Sequence, residues 1–165
     1  MYPPPPPPRR SAVPRVVGIL ALVFACLGIA TSLIWTFGPL HDIDRWGEHE
    51  RLGGIITWMY AWLAMSVVLF GVHLTGGILA IMYKPAGPRL LTGYAVGALA
   101  LVVIDLVMMH GFVPRDFSGH DIRNSVTIAR TVFDGLAAPW PVIVLALVNS
   151  RGARAACQGG PQQYM

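Results

Sequence analysis

Four long apolar stretches follow one another along the chain, at about 16–37, 55–83, 90–113 and 126–149. A helix needs about 20 apolar residues, at about 1.5 Å each, to cross about 30 Å of hydrocarbon. All four stretches reach that length. The pattern therefore predicts an all-α fold, an integral membrane bundle of four transmembrane helices.

The same pattern divides the chain into an arm at 1–15, a four-helix domain at 16–150 and a tail at 151–165. Six prolines fill positions 3–8, and polyproline II has no internal hydrogen bonds and builds no core. We expect both ends to be disordered. The proline run favours either a docking segment for a cytoplasmic partner or a solvated spacer near anionic headgroups.

Proline and glycine pairs mark places where the predicted helices end or bend. These are Gly38-Pro39, Gly76-Gly77 and Pro139-Trp140-Pro141. The first pair is expected to end helix 1, the second to bend helix 2 and the proline pair to kink helix 4. In helix 3, Gly93 and Gly97 form a G-x-x-x-G face, which favours close packing inside the bundle or between two copies.

Composition supports the membrane class. The chain is 55% hydrophobic and 12% charged, against about 45–50% and about 25% in soluble domains. Its net charge is +4, but no interleaving of aromatic and basic residues points to nucleic acid. We expect the lipid bilayer, and not nucleic acid, as its surroundings.

The charges are sorted between the connecting segments. Stretches 1–15, 84–89 and 150–165 hold seven Lys and Arg residues and no acid, while 38–54 and 114–125 hold six of the eight acids. Basic segments stay on the cytoplasmic side of a membrane. We therefore predict a multi-pass protein of the bacterial plasma (inner) membrane with both termini in the cytoplasm.

The proline run, the following Arg9-Arg10 and the segment VGILALV at 17–23 resemble the start of many small uncharacterised four-helix bacterial membrane proteins. The resemblance covers about the first 40 residues. It implies a small membrane bundle with a Pro-rich cytoplasmic N-terminus. It implies no activity and no functional residues.

A shift of 79 residues aligns VGILALV at 17–23 with VGALALV at 96–102. In the same register, HDI at 41–43 aligns with HDI at 120–122. A shared register of apolar and polar segments is typical of an internal repeat. It predicts two tandem two-helix repeats related by an axis along the membrane normal.

Asp105 and Asp134 are the two acids inside the apolar stretches. At about 1.5 Å per residue, both lie about 24 Å from the cytoplasmic ends of their helices. Arg130 is one turn from Asp134, and His110 lies near the same level. We expect one buried cluster, which acts either as a proton-, ion- or anion-handling site or as an ion-paired clasp between helices 3 and 4.

His73 shares one helical face with Trp62, Ser66 and Gly77, so this face is expected to point into the bundle. We expect His73 to donate a hydrogen bond to a carbonyl freed by the prolines of helix 4. The alternative is a haem or metal ligand, together with His110.

The outer segments offer His41, Asp42, His120 and Asp121, whose side chains suit zinc, copper or a similar ion. A solvated acidic loop is the competing interpretation. The chain has no catalytic, phosphate-binding or dinucleotide motif, and we predict no resident cofactor.

These features favour a non-enzymatic membrane protein that acts by interaction, as a subunit or scaffold of a membrane complex or a homo-oligomer. One alternative is a small transporter or ion- or proton-conducting protein that uses the Asp, Arg and His residues within the helices. A second alternative is a metal- or haem-binding membrane subunit.

Overall fold

The computed structural model describes residues 12–46, 49–111 and 122–158, and it contains no strand within these ranges. The helices are α1 Val13–Trp46, α2 His49–Ile81, α3 Ala86–Gly111, α4 Ile122–Ala137, α5 Pro139–Val148 and α6 Arg151–Gln158. The predicted all-α class is confirmed. Most of the Pro-rich arm and the last residues of the tail lie outside the described residues.

Four segments are long and apolar enough to cross a membrane: Val13–Gly38, Gly53–Ile81, Ala86–Gly111 and Thr131–Val148. Their outward faces are apolar as well as their inward faces, and Val68 is 66% exposed. A helix that is apolar all round is typical of a buried or membrane-embedded position. By length and composition, the four predicted spans are confirmed.

The bundle is a ring of neighbouring helices. α1 packs along α2, α2 along α3 and α3 against α5, while α5 also contacts α1. The core at one end of this ring is formed by Val17 and Ala21 of α1, Ala80 of α2, Leu91 of α3 and Val144 of α5. The ring leaves an interior that residues from all four segments can reach.

Small residues bring α1 and α2 into close approach. A Cβ atom added to Gly18 would lie 2.6 Å from the carbonyl oxygen of Gly77 and 2.6 Å from Cγ1 of Ile81. α2 continues as one helix through Gly76 and Gly77. Gly77 faces Ala21 and the α1 backbone, and Gly76 faces α3. The two glycines therefore make tight contacts on both sides of α2, and the expected bend stays a prediction.

α1 is longer than the sequence indicated. It passes through Gly38-Pro39 and ends at Trp46, so the prediction that this pair ends the helix is wrong. Proline lacks one backbone donor, and here the turns on either side keep their helical path despite this loss. α2 begins at His49, and most of the predicted outer segment is therefore helical.

α2 and α3 are joined by a short turn. Tyr83 has a positive φ of 55°, and the Lys84 amide donates to the carbonyl of Leu79 at 2.9 Å. This arrangement closes a helix C-terminus through a left-handed residue. α3 then starts at Ala86, ahead of the predicted position, because Pro88 is tolerated in a first helical turn.

The tail is helical over Arg151–Gln158, where we expected disorder. Ala153 and Cys157 are both buried, and their spacing of one turn places them on one face. The Ala153 amide contacts the Ser150 hydroxyl at 3.3 Å. Burial of this face against the bundle gives the short segment a fixed place.

The expected interruption of the fourth span is confirmed. α4 ends at Ala137 and α5 begins at Pro139, where the missing proline donor is tolerated in a first turn. The Ala138 amide still donates to the carbonyl of Asp134 at 2.9 Å. The first half of the bundle has no such break within α1 or α2, and the tandem repeat stays a prediction.

A candidate ligand cavity inside the bundle

A cavity of about 450 Å³ lies between α1, α2, α3 and the α4–α5 segment. Its size falls within the range of about 300–1,000 Å³ that small-molecule sites occupy. Seven aromatic rings line it: Phe24, Trp35, Trp62, Phe70, Tyr94, Phe133 and Trp140. The break between α4 and α5 lies beside it, since Ala137 and Pro141 are also in the wall.

The rings form two groups along the wall. Phe24 and Trp140 are stacked, with centroids 4.1 Å apart and planes inclined by 16°. Phe133 lies 5.6 Å from Trp35 and meets Trp62 edge-on at 6.5 Å. Such pairs add stabilisation beyond the buried area. They hold the cavity open between a stacked pair and a three-ring cluster.

Three buried polar side chains reach the cavity wall. Asp134 is 2% exposed, Ser32 is 2% exposed and Ser66 is 3% exposed. The Ser32 hydroxyl has no hydrogen-bond partner among the described atoms. A buried polar group without a partner costs about 1–3 kcal/mol. The Ser32 hydroxyl is therefore ready to accept or donate a hydrogen bond to an occupant.

Asp105 has different surroundings from Asp134. It is fully buried and accepts a hydrogen bond of 2.7 Å from the indole nitrogen of Trp58. This bond ties α3 to α2, and Asp105 is not part of the cavity wall. The sequence does not single out Trp58 as a partner of Asp105, because a tryptophan near a helix end is usually an interfacial anchor.

His110, another member of the predicted acidic cluster, lies apart from the two buried acids. His110 is exposed at the end of α3, where its Nδ1 lies 2.9 Å from the carbonyl of Leu106. It does not join the buried acids. The Arg130 side chain lies outside the described residues, and its ion pair with Asp134 stays a prediction.

His73 is fully buried and stacks on Tyr94, with centroids 3.8 Å apart and planes inclined by 6°. The indole nitrogen of Trp140 donates to its Nε2 at 3.3 Å. The predicted hydrogen bond from His73 to a carbonyl freed by the prolines of helix 4 is wrong. His73 instead accepts a hydrogen bond from Trp140, which stands between those two prolines. Since Nε2 accepts, the neutral ring carries its proton on Nδ1, which has no partner among the described atoms.

His73 therefore supports the cavity from behind. Tyr94 and Trp140 both line the cavity and both contact the imidazole. The predicted inward face of α2 is confirmed, since Trp62, Ser66 and His73 are all at most 5% exposed. A haem or metal role for His73 stays a prediction.

The metal candidates are not assembled in the described part of the chain. His41 is exposed, and no group of three or more His, Cys, Asp or Glu residues is close enough there to hold an ion. The side chain of Asp42, and His120 and Asp121 altogether, lie outside the described residues. A metal site at the outer segments stays a prediction.

The two glycines of the G-x-x-x-G face differ. A Cβ added to Gly97 would lie 2.8 Å from Cδ2 of Leu69, whereas a Cβ added to Gly93 would meet nothing within 4 Å. Gly97 thus packs inside the bundle against α2. Gly93 is exposed on the outside of α3.

A second, smaller cavity of about 240 Å³ lies where α6 meets the start of α3. Arg89, Arg154 and Cys157 are in its wall, and Arg154 donates to the side-chain oxygen of Asn149 at 2.6 Å. Burial raises the pKa of the Cys157 thiol. We call this the basic end of the bundle; Arg15, which lies over the Tyr83 ring at 5.1 Å, belongs to it too.

Fold and site together define a helical bundle with four segments able to cross a membrane and an aromatic cavity that is open on one side, where exposed Leu27, Val132 and Leu136 lie in its wall. The chain matches no protein-family model, and comparison with curated proteins and with solved structures gives no significant match.

Proposed function

We propose that this chain is a multi-pass protein of the bacterial inner membrane that binds a small, largely apolar molecule inside its helix bundle. This is the transporter class of function, with the cavity as the binding step. The cavity of about 450 Å³, with the buried carboxylate of Asp134 in its wall, is the observation that carries the proposal.

The composition of the wall supports a ligand site. Small-molecule sites are mainly apolar and aromatic, with a few polar groups that orient the ligand. Here seven aromatic rings line the same wall as the side chains of Asp134, Ser32 and Ser66. An ionisable side chain in hydrocarbon is costly and usually marks a pathway or a ligand contact.

The charge distribution supports the orientation in the membrane. Arg15, Arg89 and Arg154 belong to the basic end, and Lys84 and Arg151 lie next to its residues in the sequence. Because basic segments are retained in the cytoplasm, we place this end and both termini on the cytoplasmic side.

Photolabelling with an apolar aryl diazirine tests the proposed site. The reagent dissolves in the bilayer and labels every apolar surface it reaches. We expect adducts on lipid-facing residues such as Val68 and also on the inward face of α2, at Trp62 and Ser66. An excess of unlabelled aromatic compound should suppress the inward adducts selectively, since only a finite site saturates. Adducts confined to the lipid-facing side would contradict the proposal.

Two alanines of α3 provide matched variants for this experiment. Ala98 lines the cavity, whereas Ala100 is exposed on the outer side of the same helix. Ala98→Phe should remove the inward adducts and keep the lipid-facing ones. Ala100→Phe should keep both sets.

A structural role as a subunit or scaffold is the second candidate. The bond between Trp58 and Asp105 favours it, since a fully buried carboxylate that holds two helices together needs no ligand. Extraction in native lipid particles tests this role. A discrete assembly larger than one copy supports a scaffold or homo-oligomer, and a single copy throughout opposes it.

A further inference from the structure

We infer that the cavity takes an organic cation of amphiphilic character, with its positive head at Asp134 and its apolar body between the rings. The inference rests on the proposed function, because it presumes that the cavity is a ligand site. It adds the sign of the ligand's charge and the residue that recognises it.

The electrostatics of the wall point to a cation. Asp134 is the one charged residue in the cavity wall as described. The faces of aromatic rings carry partial negative charge, and indole rings bind cations best. Trp35, Trp62 and Trp140 supply three indoles to the same wall. Carboxylate and rings thus favour the same sign of charge in the occupant.

A buried hydroxyl adds a second, independent observation. Ser32 is 2% exposed, lines the cavity and has no hydrogen-bond partner for its Oγ among the described atoms. Its oxygen can accept a hydrogen bond from an ammonium head. The neighbouring Thr31 hydroxyl, by contrast, already donates to the carbonyl of Leu27 at 2.8 Å.

The charges around the cavity also favour a cationic ligand. Asp105 is a second buried acid of the bundle, and the described Lys and Arg side chains belong to the basic end. Arg130 is one turn from Asp134 in the sequence, with a side chain outside the described residues. A cationic ligand and the Arg130 guanidinium would compete for the Asp134 carboxylate. We therefore expect the Arg130→Gln protein to bind the cation at least as tightly as the parent protein does.

Binding of tritiated tetraphenylphosphonium to the purified full-length protein in detergent tests the inference. We expect saturable binding that is displaced by trimethyl(4-phenylbutyl)ammonium. The neutral isostere, in which carbon replaces the ammonium nitrogen, should not displace it at the same free concentration. Equal displacement by the neutral compound would overturn the inference, because shape and apolarity alone would then explain binding.

The two buried acids give a matched pair of variants. Asp134→Asn should weaken tetraphenylphosphonium binding at least tenfold, equivalent to about 1.4 kcal/mol. Asp105→Asn removes the same charge from an equally buried site outside the cavity wall and should change affinity less than threefold. Equal losses in both variants would overturn the inference, since they would show a general effect of charge.

Ser32→Ala keeps the test decisive if Asp134→Asn fails to fold. We expect this smaller change to weaken displacement by 4-phenylbutylammonium, a primary ammonium whose N–H groups can donate to Ser32, more than displacement by trimethyl(4-phenylbutyl)ammonium, which has no N–H donor. The diazirine experiment distinguishes failure of the ligand site from failure of the proposed charge of the ligand. Inward adducts without a preference for cations would leave the ligand site standing and overturn the sign of its charge; absent inward adducts would contradict the site itself.

Discussion

Replacement of Gly18 by alanine probes the closest contact between helices in the bundle. The added Cβ would lie 2.6 Å from the Gly77 carbonyl oxygen and 2.6 Å from Cγ1 of Ile81. The oxygen is backbone and cannot rotate away, so α1 and α2 must separate. Overpacking of this kind costs about 1–3 kcal/mol, while alanine gains about 1 kcal/mol over glycine in a helix interior.

Gly93→Ala is the matched control, because its added Cβ would meet nothing within 4 Å. Both variants share the gain in helix propensity, so their difference isolates the clash. We expect Gly18→Ala to be less stable than Gly93→Ala by about 1–3 kcal/mol.

Reversible unfolding in mixed micelles, titrated with SDS and followed by circular dichroism, measures this difference. A Gly18→Ala protein as stable as Gly93→Ala would refute the close approach of α1 and α2. The wall of the cavity would then need a different arrangement, since α1 contributes Phe24 and Ser32 to it.

Three further predictions concern other contacts. Trp58→Phe should destabilise the bundle by about 1.5–3 kcal/mol, the value of a hydrogen bond to a charged group; in a double-mutant cycle with Asp105→Asn, effects that simply add would argue against the bond. His73→Phe keeps the stack on Tyr94 and should stay within about 1.5 kcal/mol of the parent, whereas His73→Ala should cost about 3 kcal/mol or more, as for truncation of a buried ring; equal thermal stabilities would contradict this. Cys157 should react slowly with maleimide at neutral pH, because burial raises its pKa and only the thiolate reacts; its rate should rise with pH above the range of an ordinary thiol, and a plateau below that range would contradict the raised pKa.

The sequence predicted the spans well because their signal is dense. Runs of more than 20 apolar residues have few alternatives to a long helix. The kink before Pro139 followed from proline chemistry, which acts locally. Likewise, 3.6-residue periodicity was enough to place Trp62, Ser66 and His73 on the inward face of α2.

The positions where helices end and the hydrogen-bond partners of the polar side chains were harder to predict from the sequence. Gly38-Pro39 was predicted to end α1 because local propensity favours a break, yet the helix continues to Trp46. Trp58 and Asp105 are 47 residues apart, and only the register of α2 against α3 brings them together. The partner of His73 also depended on a rotamer, that of Trp140, which periodicity does not specify.

The candidate site was predictable from the sequence only in part. Asp134 was recognisable as an acid in an apolar span, and Ser66 as part of an inward face. The cavity itself was not predictable, because a void depends on how the rings of Phe24, Phe133 and Trp140 stack across three helices. The same rings in other rotamers would fill the space.

The most direct test of the central claim is to locate a ligand in the bundle. Crystals grown in a lipidic phase with 4-iodobenzyltrimethylammonium would reveal iodine by its anomalous scattering. We predict iodine between Trp140 and Phe133, with the ammonium toward Asp134. Iodine found only on the outer, lipid-facing side of the helices would contradict it.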